Sequence, residues 1–100
     1  EVKKVMAQQQ VQRVTISGST FQEVAFVYPS GKWLVKNFSA GDIYVSFANS
    51  GQTQDNSIRI ASGYAQVCQI NERSGEAGQT KVKSIYIKGS GEVEIQQLWF

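Results

Sequence analysis

Histidine is absent from this 100-residue chain. That absence removes the commonest general base, the Ser-His and Cys-His pairs, and the usual zinc ligand. A metal-binding cupin would need histidines on its barrel strands, so a jelly roll built from this chain is expected to be metal-free. Cysteine occurs once, at Cys68, so no disulfide can form within the chain, which sets it apart from the small stapled secreted domains. Proline also occurs once, at Pro29. No run approaches the roughly 18 apolar residues of a membrane-spanning helix, and the start does not resemble a signal peptide. A first residue of Glu1 in place of Met fits processing or a longer parent chain. Charge is sparse and nearly balanced, with ten basic and eight acidic residues. The excess of +2 is too small, and too scattered, to argue for nucleic acid.

Leucine is the last scarcity. Only Leu34 and Leu98 are present, against 19 valines and isoleucines. Leucine fills helical cores, whereas β-branched side chains are stiff at χ1 and suit a pleated surface. The composition therefore predicts an all-β protein of one domain.

Residues 1–12 are polar and glutamine-rich, and they read as an N-terminal arm ahead of a single β-sandwich domain at 13–100. Val2, Val5 and Met6 could form a short apolar stripe, too short to stand alone as a helix. From Val11 onward the pattern alternates with period two. Val14 and Ile16 share one face, Phe21 to Tyr28 forms a second strand, and Tyr28-Pro29-Ser30-Gly31 reads as a tight turn. Trp33 to Phe38 is a third strand. In the fourth, Ile43, Val45 and Phe47 point one way while Tyr44 and Ser46 point the other. Ser57 to Ile60 and Tyr64 to Ile70 follow, separated by Ala61-Ser62-Gly63. Polar loops are expected at 48–56 and 71–80. Lys81 to Lys88 and Glu92 to Phe100 read as a hairpin across Gly89-Ser90-Gly91. About eight short strands with no long crossover predict an antiparallel β-sandwich of jelly-roll or Greek-key type, or else a small barrel.

Each candidate for chemistry has a plainer explanation. Glu92 and Glu94 could pair as acid and base, but they alternate with Val93 and Ile95 and so belong to a solvated face. Asp42 and Asp55 are the other carboxylate pair; Asp42 follows Gly41 in a turn, where Asp usually caps the backbone, and Asp55 lies in a polar loop that lacks the dense acidic run of a calcium site. Cys68 lies within a strand, where cysteine is usually a small buried hydrophobe. Asn37-Phe38-Ser39 matches a glycosylation sequon. Trp33, Tyr44, Tyr64, Tyr86 and Trp99 could form a platform for sugars or bases, against the alternative of core packing and cross-strand pairs. Tyr44 and Tyr86 alternate against aliphatic neighbours and should face outward. With Val2, Val5 and Met6 they are the candidate partner interface. No catalytic, cofactor-binding or metal-binding residue is expected, and the chain is not expected to be an enzyme.

Four segments together carry a resemblance. They are Trp33-Leu34-Val35-Lys36-Asn37-Phe38, Gly41-Asp42-Ile43-Tyr44-Val45-Ser46-Phe47, Ile60-Ala61-Ser62-Gly63-Tyr64, and Ile85-Tyr86-Ile87-Lys88-Gly89-Ser90-Gly91-Glu92-Val93-Glu94-Ile95. Over roughly residues 33 to 98 the chain resembles small all-β virion proteins of tailed bacteriophages, of the capsid decoration, head fibre or head–tail accessory kind. The resemblance implies a non-catalytic structural protein of the virion, made in the host cytoplasm. It would bind the shell and other virion proteins, often as a homo-oligomer, with a trimer favoured. Neither nucleic acid nor membrane is expected as a partner. A carbohydrate-binding β-sandwich module, or a tail or receptor-binding component that binds a glycan, is the alternative. A barrel binding single-stranded nucleic acid would need steep electrostatics that +2 does not supply.

Overall fold

The structure is a computed structural model that describes residues 11–48, 50–70 and 81–99, the last of these, Trp99, through its backbone alone. Val2, Val5, Met6 and the segment 71–80 lie outside the described residues. Eight strands appear in chain order: β1 (Val11–Ile16), β2 (Gln22–Ser30), β3 (Lys32–Asn37), β4 (Ile43–Ser46), β5 (Ile58–Ile60), β6 (Ala65–Gln69), β7 (Val82–Lys88) and β8 (Gly91–Trp99). A 3₁₀ turn at Gln54–Asn56, capped by Thr53, precedes β5. Val11 and Gln12 already pair with Gln96 and Ile95, so the first sheet begins two residues inside the segment that reads as an arm.

The strands form two four-stranded sheets, ordered β1-β8-β3-β6 and β2-β7-β4-β5. Every pairing is antiparallel. First pairs with last, second with seventh, third with sixth and fourth with fifth. The chain is thus one long hairpin rolled up so that β3 also meets β8 and β4 meets β7. This is the wiring of a jelly-roll sandwich.

Period-two alternation puts one residue of each pair between the sheets. Trp33, Val35, Ile43, Val45, Phe47, Ile85, Ile87, Val93 and Ile95 are all buried in one cluster with Ile16, Val24, Phe26 and Ile60. Trp33 meets Phe26 edge to face, with ring centroids 4.9 Å apart, a favoured aromatic geometry.

Two connections differ from the expected ones. The segment around Gly89-Ser90-Gly91 is not a hairpin. β7 belongs to one sheet and β8 to the other, so this loop is a corner where the chain changes sheets. Both glycines are required by close approach. A Cβ on Gly91, whose φ is +132°, would collide with Ser39, and one on Gly89 would sit 2.8 Å from Ile43 Cγ2. Tyr28-Pro29-Ser30-Gly31 is likewise no tight turn. β2 runs through Pro29 to Ser30, and the chain crosses sheets at Gly31. Ala25 pairs with Ser84 and Ser30 with Val82, so five steps along β2 meet two along β7. Pro29 lies in that bulge, where no ladder hydrogen bond is asked of it. The Ser30 hydroxyl braces the corner, accepting from Lys32 N at 3.2 Å and donating to Lys32 O at 2.9 Å.

Candidate interaction surfaces

The outer face of β1-β8-β3-β6 is built in rows, because directly paired residues share a face. One row runs Arg13, Glu94, Lys36 across three strands. Arg13 Nη2 lies 2.9 Å from Glu94 Oε1, Lys36 Nζ 3.4 Å from Glu94 Oε2, and Arg13 Nε 3.5 Å from Glu92 Oε2. The hydrogen bond from Arg13 holds the Glu94 carboxyl below its usual range, with Lys36 adding to the effect. Glu94 is therefore held in an ion-paired row on an outer face, and Glu92 reaches the same guanidinium. The next row is Val11, Gln96, Leu34, Val67, spanning all four strands. Val11 and Val67 are about half exposed, and Phe38, just past β3, is 55% exposed. This apolar row does not figure among the residues that sequence reasoning selects. Its signal was available in Leu34, an apolar residue in the outward position between Trp33 and Val35.

On the other sheet, Tyr44 and Tyr86 do lie on the outer face. Tyr44 pairs with Lys88 and Arg59, and Tyr86 with Ser46 and Glu23, which makes the tyrosines diagonal neighbours across β4 and β7. Both are half-buried. Ser84 Oγ donates to Glu23 Oε2 at 2.7 Å beside them, and Arg59 Nε stands 3.7 Å from Asp42 Oδ2.

The five-aromatic platform is not assembled. Trp33 is inside the core, Tyr44 and Tyr86 are on one outer face, and Tyr64 is 69% exposed beyond the β5–β6 turn. The Trp99 side chain lies outside the described residues. Cys68 is buried opposite Trp33, and burial pushes its thiol up to about 12. Asn37 is also buried. Its Nδ2 donates to Gly41 O at 2.8 Å and Ile60 O at 2.9 Å, while Oδ1 accepts from Ser39 N at 2.8 Å. The sequon is thus closed in the folded chain. Among the described residues, no three of His, Cys, Asp and Glu converge to hold a metal ion.

One groove, of about 320 Å³, opens where the β1–β2 and β4–β5 connections meet the end of β7. Ser19, Thr20, Phe21, Gln52, Thr53 and Lys88 line it. It offers hydroxyls, an amide, one ring and one ammonium, with no carboxylate among the described residues.

Comparison with family models, with curated proteins and with solved structures found no match to this chain.

Proposed function

We propose that this chain is a non-catalytic structural protein of a tailed-phage virion, associated with the head, that works by binding neighbouring subunits and the shell. The observation carrying the reading is the row Val11, Gln96, Leu34, Val67 on the outer face of the β1-β8-β3-β6 sheet. Three apolar side chains in a row of four on an outer face, two of them about half exposed, suit contact with protein. The jelly-roll wiring is common among capsid domains, which supports the reading by analogy of fold alone. The test is immuno-electron microscopy of purified particles with an antibody raised against the chain. Label over the head is expected. Label confined to the tail tip, or none, overturns the reading.

The groove at Phe21 favours a second reading, a glycan-binding module. An aromatic ring flanked by hydroxyl and amide groups is the chemistry that holds a sugar. A glycan array probed with the chain and with Phe21→Ala distinguishes the two. Binding that disappears in the variant favours the glycan reading.

A further inference from the structure

Among the described residues, four strands form the edges of the two sheets: β1 and β6 of one, β2 and β5 of the other. Three are defended against pairing with a foreign strand. Gln12 of β1 reaches across the sandwich and donates to Ala25 O of β2 at 2.6 Å, tying those two edges together. β2 is also interrupted by its bulge and holds Pro29. β5 has only three residues and carries Arg59. Bulges, proline, short length and charge are the devices that blunt an edge.

β6 has none of them. Ala65-Gln66-Val67-Cys68-Gln69 contains no charge and no proline, and its register with β3 is unbroken. All but Cys68 are exposed. The direction of its backbone groups follows from its neighbours. Asn37 N donates to Tyr64 O and Ile70 N to Gly31 O, both at 2.9 Å, so the even-numbered residues spend their groups on β3. In an antiparallel ladder these groups alternate. Ala65, Val67 and Gln69 therefore turn both N–H and C=O toward the sheet edge, on which no strand lies among the described residues.

We propose that β6 pairs with β6 of a second copy about a two-fold axis through Val67, joining the two β1-β8-β3-β6 sheets into one continuous sheet. An isologous contact sets a residue against itself only on the axis. Here Val67 exchanges both bonds with Val67 of the second copy, and Ala65 exchanges both with Gln69. The strand suits itself because it carries no charge to repel or desolvate. On the outer face, Val67 continues the row from Leu34 and would abut Val67 of the second copy, so two apolar rows become one. The contact is two-fold, unlike the trimer the resemblance implies, and it stands whether or not the chain belongs to a virion.

Sedimentation equilibrium of the full chain across the micromolar range tests it. The wild-type chain is expected to be a dimer. Val67→Lys and Val67→Glu should each be monomeric with unchanged circular dichroism, because like charges then meet on the axis. An equimolar mixture of the two variants should return to dimer. Val67→Cys should cross-link on oxidation, since a hydrogen-bonded pair places Cα atoms about 5.5 Å apart, within disulfide reach. This last measurement decides the matter if a charged variant fails to fold. A monomeric wild-type chain overturns the proposal. So does a Val67→Lys dimer, a mixture that stays monomeric, or a Val67→Cys chain that does not cross-link.

Discussion

Asn37 is the residue on which most of the polar interior turns. It sits at the end of β3 and stitches the β3–β4 corner to Ile60 at the end of β5. Its backbone joins the next turn as well, with Gly63 N donating to Asn37 O at 2.9 Å. Asn37→Ala takes the side-chain partner from Ile60 O and from Ser39 N inside the molecule, each a loss of about 1–3 kcal/mol, while Gly41 O keeps the Ser39 hydroxyl. The variant should unfold at a clearly lower urea concentration than the wild-type chain; a shift too small to measure would mean that water replaces the amide. Cys68 gives a second test. Its ordinary value is 9.0 and burial raises it to about 12. The unfolded chain then releases the thiol proton first, so stability should fall as pH rises from 9 toward 12. Thiol-specific reagents at pH 8 should label the folded chain only at the rate of its unfolding. Trp33 and Cys68 were legible as core because strands usually bury those residue types. Asn37 and Gln97 were not. Gln97 faces inward after Val93 and Ile95, donating to Tyr28 O at 2.6 Å. A polar side chain reads as outward until its acceptor is known, and these acceptors lie 23 and 69 positions away along the chain.

At the scale of elements, alternation specified nearly every face. Val45 is buried between Ile87 and Ile58, while Tyr44 turns outward beside Lys88. Val45→Ala should lower stability by about 1–3 kcal/mol, from lost burial and a residual cavity, and Tyr44→Ser by clearly less; thermal unfolding of the two variants checks the order. Strand faces were legible because burial repeats every second residue. Corners were not. A short glycine loop joins strands equally well within one sheet or between two, and what distinguishes them is whether each strand's edges are already taken. β7 has β2 and β4, and β8 has β1 and β3, so they cannot pair with each other. The corner glycines carry that choice. Gly91→Ala should destabilise by more than a typical surface substitution, because φ of +132° strains any L side chain and Ser39 stands in the way. A variant as stable as the wild-type chain would mean the corner can shift.

For the molecule as a whole, composition and spacing announced a two-sheet sandwich, but the partner of each strand is a long-range fact that local pattern does not contain. The pairing of β1 with β8 also has a practical reach. Val11 lies opposite Gln96, so the chain enters and leaves the sheet on adjacent strands at one corner. Topology of this kind is indifferent to where the covalent chain is opened. A circular permutant that joins residue 99 to residue 11 through a short Gly/Ser linker, and opens the exposed connection between Ser50 and Gly51, keeps every strand beside its present neighbours. It should give the same β-type circular dichroism and a cooperative unfolding transition. The same corner makes the sandwich a natural cargo: grafted through both ends into a surface loop of a carrier protein, it should fold without prying the loop apart.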